Sequence, residues 1–136
     1  MKVFGDSGWF LAIHNKRDIH HEEALRILQK IIEKKIQVYT SDYVVDESVT
    51  LALARTKSHD TAEALGEGIL RSRYVKLLKI SEDNFWDAWE FFKEHKHKFY
   101  SFTDCTTFIL MHEYKIDRAF TYDDHFKREG FRVNFE

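Results

Sequence analysis

The sequence predicts a three-layer α/β/α fold with a central, mostly parallel sheet of about five strands. Short β-like runs alternate with longer segments of helical spacing, and strands joined by helices run parallel within one sheet. With 43% hydrophobic and 32% charged residues, the composition is that of a globular protein rather than a disordered chain. A chain of 136 residues is long enough to bury a core, so we expect one domain over residues 1–136.

The candidate strands are short runs of β-branched, aromatic and other apolar residues. They lie at residues 2–5, 37–40, 74–79, 118–121 and 131–135. The chain has no proline and only five glycines, and nothing in it indicates a linker. Ligands of parallel sheets bind beyond the carboxyl ends of the strands, so residues that directly follow a strand are the first candidates for a site.

Helices are predicted between these strands from apolar residues three and four positions apart. Such spacing occurs at 24–32, at 44–53 and from about 103 to 112, whereas the segment 56–73 predicts an exposed helix. A further helix begins after Ser81, a favourable N-cap residue followed by two acids. Its aromatic residues are expected to lie mostly in the core, with at most one ring at an interface; they are Phe85, Trp86, Trp89 and Phe92.

Four acids stand where a strand ends or within the first turns of a helix. Asp6 follows the run 2–5, and Asp123 follows the run 118–121. Asp104 lies at the start of a helix, where a carboxylate is favoured by the helix dipole. Glu47 lies among apolar residues of a helix and is expected to be partly buried, whereas Asp46 is expected to face solvent.

Carboxylates brought together from several segments are suited to Mg²⁺ or Mn²⁺, which prefer oxygen ligands. Without a cation, such a cluster repels itself and raises its own pKa values. The pattern therefore indicates metal-assisted phosphoryl chemistry, with nucleic acid as the first substrate to consider. Helix capping alone explains any single one of these acids, so only the combination is informative.

The order and settings of the acids resemble the PIN-domain ribonucleases, most closely the toxins of VapBC-type toxin–antitoxin pairs. The similar segments are FGDSGWFLAI, YTSDYVVDESVTLAL, YSFTDCTTF and RAFTYDDHFKREGF, which span nearly the whole chain. The resemblance implies a PIN-like fold and hydrolysis of RNA with Mg²⁺ or Mn²⁺. It assigns catalysis and metal binding to Asp6, Glu47, Asp104 and Asp123, with Ser7 and Thr107 in support.

The neighbouring Asp124 is the alternative for the fourth acid, although the distance from the preceding strand favours Asp123. The resemblance also implies an RNA substrate, an antitoxin protein as partner, and a homodimer. We expect the protein in the cytoplasm, because the one cysteine cannot form an internal disulfide and the N-terminus lacks the long apolar stretch of a signal peptide. We do not expect it in a membrane, because no apolar run approaches the length of a membrane span. The alternative functions are a housekeeping RNA-processing nuclease and a non-catalytic RNA-binding module.

The net charge of −2 weighs against a protein that coats nucleic acid through bulk attraction. Five basic residues have two interpretations, a solvated face or a rim that contacts phosphates. They are Arg55, Lys57, Arg71, Arg73 and Lys76. Cys105, the one cysteine, is interpreted as a packing residue, and His20, His21, His95 and His97 are not expected to bind a metal.

Overall fold

The computed structural model describes all residues, 1–136, and contains one five-stranded sheet in which every paired strand is parallel. The strand order is β3-β2-β1-β4-β5. The strands are β1 (Lys2–Gly5), β2 (Gln37–Ser41), β3 (Val75–Leu78), β4 (Arg118–Phe120) and β5 (Arg132–Val133). The predicted α/β/α architecture is confirmed, and each strand lies within a residue or two of its predicted position.

The central position of β1 explains its apolar sequence. Val3 pairs with Val38 of β2, and Phe4 pairs with Ala119 of β4. Val3 and Phe4 are both fully buried because helices cover the two faces of the sheet. β1 and β4 are neighbours, so the residues that follow them emerge side by side at one edge of the sheet.

Seven helices connect and cover the strands. They are α1 (Ser7–His14), α2 (His21–Lys34), α3 (Asp42–Thr56), α4 (His59–Leu70), α5 (Glu82–Glu94), α6 (Phe102–Glu113) and α7 (His125–Arg128). Ser81 is the N-cap of α5 as predicted, and Ser101 caps α6 in the same way; each forms a capping box. None of the helices combines the length and apolar character needed to cross a membrane.

The helix predicted within 56–73 exists as α4, but it is less exposed than expected. Ala62, Leu65 and Ile69 are buried on one side of α4, and this side contributes to the core. Small residues at intermediate positions, such as Gly66, let α4 approach α3, where Val49 lies beside it. The few large apolar residues in the segment are therefore enough for one packed face.

The prediction that the aromatic residues of α5 lie mostly in the core is wrong. Phe85, Trp86, Trp89 and Phe92 remain 36–55% exposed, and we call these four residues the α5 aromatic surface. The buried side of α5 is instead formed by residues such as Ala88, with Phe91 packed against the core. Helical spacing identifies an apolar face, but it does not distinguish burial within the chain from burial against another molecule.

Candidate active site

A cleft of about 600 Å³ lies where the chain leaves β1 and β4. All four acids predicted from the sequence line it, namely Asp6, Glu47, Asp104 and Asp123. Ser7 also lines this cleft, and most of the other lining residues are polar or charged. The structure thus brings together side chains from residues more than one hundred positions apart in the sequence.

Asp6 is held at the base of the cleft by contacts with the segment after β4. Its carboxylate Oδ2 accepts a hydrogen bond of 2.7 Å from Thr121 Oγ1. Its backbone N–H donates to Phe120 O at 3.0 Å, which continues the pairing of β1 with β4. Although Asp6 occupies the N-cap position of α1, its side chain makes no capping hydrogen bond. Capping therefore does not account for this acid.

Burial raises the pKa of Asp6 from 3.8 to about 7. Asp6 is only 5% exposed, and the negative charges of Asp104 and Glu47 raise the pKa of its carboxyl further. The Thr121 hydrogen bond lowers the pKa but does not offset burial. A bound cation stabilises the ionised form of a carboxylate in this setting, because its positive charge opposes the rise in pKa that burial causes.

Glu47 reaches the same cleft from the middle of α3. Ser7 Oγ donates a hydrogen bond of 2.6 Å to Glu47 Oε1, so the first residue of α1 orients the carboxylate of α3. Glu47 is partly buried and Asp46 is exposed, as the sequence predicted. The pKa of Glu47 is raised, first by burial and then by the charges of Asp104 and Asp123.

Asp104 lies in the first turn of α6 and has two local roles. Its Oδ2 atom accepts hydrogen bonds from the Ser101 backbone N–H at 3.2 Å and from His125 Nδ1 at 3.0 Å. The first contact belongs to the capping box of α6, and the second links α6 to α7. Burial raises the pKa of Asp104, with a further contribution from Asp123. Neither hydrogen bond uses Oδ1.

Asp123 and His125 complete the acidic side of the cleft. Asp123 Oδ1 accepts a hydrogen bond from the His125 backbone N–H at 2.9 Å and lies 3.2 Å from His125 Nδ1. The Asp123 backbone N–H donates to Thr121 Oγ1 at 3.0 Å. One ligand atom from each of Asp104, Asp123 and His125 lies within 4.8 Å of the other two.

The structure separates the two members of the Asp123–Asp124 pair. Asp124 is exposed, and although it occupies the N-cap position of α7, its side chain makes no capping hydrogen bond. The Asp123 side chain accepts a hydrogen bond from the first N–H of α7, whereas the Asp124 side chain faces solvent. Both residues line the cleft, but only Asp123 lies beside Asp104 and His125 in the ligand group.

Sequence reasoning missed Thr121 and His125. The signal was local, since Thr121 lies two positions before Asp123 and His125 two positions after it. Both contacts are turns in which a side chain bonds the backbone two residues on: the Asp123 N–H donates to Thr121 Oγ1, and the His125 N–H donates to Asp123 Oδ1. A polar residue two positions on either side of a candidate ligand is thus a candidate for its support.

Other polar residues near Asp104 do not enter the cleft. The Thr106 hydroxyl donates to the Thr103 carbonyl at 2.7 Å and not to Asp104. The Thr107 hydroxyl is buried without a hydrogen-bond partner, and Thr107 is not among the residues that line the cleft. Cys105 is fully buried, and burial raises the pKa of its thiol to about 12, which fits the packing role predicted for it.

The rim of the cleft carries positive charge. Of the five basic residues with two interpretations, Arg55 alone lines the cleft. Arg128 of α7, which was not singled out from the sequence, lines it as well. Two guanidinium groups beside an acidic centre suit a phosphodiester backbone, because they reduce the repulsion between the acids and the phosphates.

The donor set fits a divalent cation that prefers oxygen ligands. It consists of four carboxylates from separate segments of the chain. Three of these carboxylates have raised pKa values, because they are partly or fully buried and lie near one another. Mg²⁺ and Mn²⁺ take such ligands, whereas a thiolate site typical of structural zinc is absent because the lone cysteine, Cys105, is buried and does not line the cleft. His125 lies beside two of these acids, with its Nδ1 3.0 Å from Asp104 Oδ2 and 3.2 Å from Asp123 Oδ1.

Comparison with known proteins identifies relatives over nearly the whole chain. The PIN domain family model matches residues 3–131. The 23S rRNA-specific endonuclease VapC20 of Mycobacterium tuberculosis is 33% identical over 129 residues, which are 95% of each chain. A VapC ribonuclease of Archaeoglobus fulgidus is 24% identical over 128 residues, covering 93% of this chain and 80% of that protein.

Solved structures agree with this relationship. The crystal structure of M. tuberculosis VapC20, described as a sarcin-ricin loop cleaving toxin, superposes with a TM-score of 0.83 at 31% identity over 95% of both chains. The VapBC2 complex of Rickettsia felis, bound to a DNA fragment from its promoter, gives a TM-score of 0.71 at 13% identity. That match covers 98% of this chain and 97% of the other and shows the fold alone. On this evidence, the chain belongs to the PIN domain family.

Proposed function

We propose that this chain is an endoribonuclease, a hydrolase that cleaves phosphodiester bonds within RNA and uses Mg²⁺ or Mn²⁺. The observation that carries the proposal is the convergence of Asp6, Glu47, Asp104 and Asp123 on one cleft with a cationic rim. The names of the relatives support the substrate class, since one is a 23S rRNA-specific endonuclease and another a ribonuclease. A non-catalytic RNA-binding module would have no need for four clustered carboxylates, which weaken the binding of phosphates.

Each acid has a neighbour that sets its orientation. Thr121 fixes Asp6, Ser7 fixes Glu47, and His125 bridges Asp104 and Asp123. These hydrogen bonds hold the carboxylates in place before any ligand arrives, which lowers the reorganisation needed during the reaction. We propose Asp6, Glu47, Asp104 and Asp123 as ligands of the cation, direct or through water.

A divalent cation bound there supplies positive charge that acidifies water and offsets charge developing on the phosphate. The chain itself aligns the substrate, because Arg55 and Arg128 line the same cleft as the acids and can contact the phosphates of the RNA. Attack by water rather than by the ribose 2′-hydroxyl leaves a 5′-phosphate and a 3′-hydroxyl. No residue in the cleft is needed to activate the 2′-hydroxyl in this reaction.

The proposed function is tested by the chemistry of the RNA ends. Purified protein is incubated with ribosomal RNA and Mg²⁺, and we expect discrete internal cuts whose downstream fragments carry a 5′-phosphate that permits direct ligation. The upstream fragments should carry a 3′-hydroxyl, which is detected by enzymatic polyadenylation without prior phosphatase treatment. The 2′,3′-cyclic phosphate ends of a metal-independent ribonuclease would contradict the proposal, as would intact RNA at enzyme excess.

The description of M. tuberculosis VapC20 as a toxin is the basis for the proposed biology. We propose that the chain is the toxin of a toxin–antitoxin pair and acts in the cytoplasm, with a cognate antitoxin as its protein partner. A housekeeping RNA-processing nuclease is the second candidate, since the same cleft serves both roles. Growth arrest on expression, relieved by co-expression of the protein encoded next to it, separates the two.

We also propose that the chain forms a homodimer in which the α5 aromatic surface is buried. Aromatic residues are enriched at the cores of protein interfaces, and four of them lie together here at 36–55% exposure. Light scattering of the isolated chain at micromolar concentration should give twice the chain mass of 16.3 kDa. Trp86→Asp should yield a folded monomer, because it places a charge within this surface. A wild-type monomer at high concentration would contradict the dimer.

A further inference from the structure

Phe99 is an exposed aromatic residue at the rim of the acidic cleft. Its side chain is 89% exposed, yet it lines the same cleft as Asp104 and Asp123. Its ring packs against no other aromatic ring of the chain, unlike the rings of the α5 aromatic surface. The fold gains little from this ring, because almost none of its surface is removed from water.

The backbone of Phe99 is held in an unfavourable conformation. Its φ of 58° lies in the left-handed region, which bulky side chains rarely adopt. Lys35 and Lys57 share this conformation but occupy C-cap positions of helices, where it is common. Phe99 instead lies in the connection between α5 and α6, four residues after His95, the C-cap of α5. Strain of this kind persists where the surroundings impose it and is frequent at ligand sites.

The neighbouring residues fix this conformation from both sides. The Lys98 backbone N–H donates to the His95 carbonyl at 2.9 Å, which closes a turn directly before Phe99. Tyr100, directly after it, is 4% exposed, and its hydroxyl donates to Glu129 Oε2 at 2.6 Å. The Phe99 ring is therefore presented to solvent on an anchored segment and not on a free loop, which reduces the entropy lost on binding.

The charge around Phe99 indicates a nucleic-acid ligand. Lys96, His97 and Lys98 precede it and are all exposed. Arg55 and Arg128 line the same cleft. Cations that contact phosphates, combined with an exposed aromatic ring that accepts a base, are the features that bind unpaired RNA. An apolar partner protein would match the ring but not the cations around it.

We propose that Phe99 is a base-stacking residue, on which an unpaired base beside the scissile phosphate of the RNA stacks. This inference rests on the proposed ribonuclease function and adds a binding residue outside the acidic cluster. It implies that the preferred substrates present an unstacked base at the cleavage site, as loops and bulges do, and that continuous duplexes are poor substrates.

Binding is measured apart from cleavage in an Asp6→Asn background with Mg²⁺ present. The probe is a ten-nucleotide single-stranded RNA that carries one 2-aminopurine, whose fluorescence is quenched when the base stacks on an aromatic ring. Phe99→Ala should weaken binding by about 5- to 150-fold, the range that loss of one base–aromatic stack produces. Phe99→Trp should retain binding and quenching, whereas Phe99→Leu should lose both.

Two controls separate stacking from other effects. Ile19→Ala removes a side chain that is 91% exposed and does not line the cleft, and it should leave RNA affinity unchanged. Phe99→Gly suits a positive φ, so its melting temperature should equal or exceed that of the parent while RNA affinity falls. A lower melting temperature for Phe99→Gly with unchanged RNA affinity would instead assign Phe99 a structural role and overturn the proposal.

The outcomes distinguish this inference from the proposed function. If the Asp6→Asn parent binds RNA and Phe99→Ala binds it equally well, only the stacking role is overturned. If Phe99→Ala keeps RNA affinity but loses self-association, the ring belongs to a protein interface, which also overturns it. If the parent does not bind RNA at all and wild type does not cleave it, the ribonuclease proposal falls together with the stacking role.

Discussion

Replacing Asp6 by Asn is expected to lower the rate of Mg²⁺- or Mn²⁺-dependent RNA cleavage by about 100- to 1,000-fold, because a cation ligand at the reacting phosphate contributes several kcal/mol. Asn preserves the shape of the side chain and still accepts the hydrogen bond from Thr121 Oγ1, which is 2.7 Å from Asp6 Oδ2. It removes the negative charge that binds the cation. The measurement is the initial rate of cleavage of a defined RNA at saturating metal, with circular dichroism to verify the fold.

Asp123→Asn and Asp124→Asn form a matched pair of controls. Asp123 has a carboxylate oxygen 3.2 Å from His125 Nδ1 and belongs to the ligand group, whereas Asp124 is exposed and makes no side-chain hydrogen bond within α7. We therefore expect a large loss in Asp123→Asn and a change of less than about threefold in Asp124→Asn, as is usual for exposed positions. The reverse pattern would show that Asp124 is the fourth acid.

The same Asp6→Asn change is expected to stabilise the metal-free protein at neutral pH. Burial raises the pKa of Asp6 from 3.8 to about 7, so between these values the folded chain holds a proton that the unfolded chain has released. Stability from this group is therefore present below about pH 4 and is lost as the pH rises through about 7. At 1.36 kcal/mol per pKa unit, the gain in Asp6→Asn at pH 8 has an upper limit of about 4 kcal/mol.

Urea unfolding of both proteins in EDTA at pH 4, 6 and 8 measures this gain. The two free energies of unfolding should be closest at pH 4 and diverge towards pH 8, with Asp6→Asn the more stable. A constant difference across this range would contradict the raised pKa of Asp6. Cleavage activity does not enter this measurement, so stability and catalysis are tested separately.

The parts of the site that could be predicted from the sequence are those fixed by local pattern. Asp6 and Asp123 follow short apolar runs that predict strands, and parallel strands place the residues that follow them at one edge of the sheet. Each acid alone was weakly informative, and the resemblance to the PIN-domain ribonucleases assigned the four acids to one site. Glu47 was recognisable because a carboxylate within an apolar helical stretch needs a partner, and Ser7 is that partner at 2.6 Å.

The parts that could not be predicted depend on contacts between distant segments or with other molecules. The link from His125 to Asp104 joins α7 to α6 and follows from how these helices pack, not from either local sequence. The exposure of the α5 aromatic surface could not be read from its spacing, because an apolar face looks the same whether the chain itself or a partner covers it. The left-handed φ of Phe99 has no signal either, since glycine, not phenylalanine, favours that region.

Addition of Mg²⁺ or Mn²⁺ is expected to raise the melting temperature of the wild-type protein, and to do so more at pH 8 than at pH 5.5. A cation that binds the folded state alone stabilises it by about 2.7 kcal/mol at one hundred times its dissociation constant, which corresponds to roughly 5–10 °C for a chain of this size. The cation competes with protons for the carboxylates, and Asp6, with its pKa of about 7, is largely protonated at pH 5.5. EDTA should remove both this stabilisation and RNA cleavage.

Glu47→Gln and Asp46→Asn test whether this stabilisation comes from the cleft. The two residues are adjacent on α3, but Glu47 lines the cleft and Asp46 is exposed. Glu47→Gln should lose most of the metal-induced rise in melting temperature, and Asp46→Asn should retain it. Each change removes one negative charge, but only Glu47 is placed to bind the cation. A rise of equal size in both variants, or one that is independent of pH, would mean that the cation binds elsewhere, and the four acids would then lose their proposed role as its ligands.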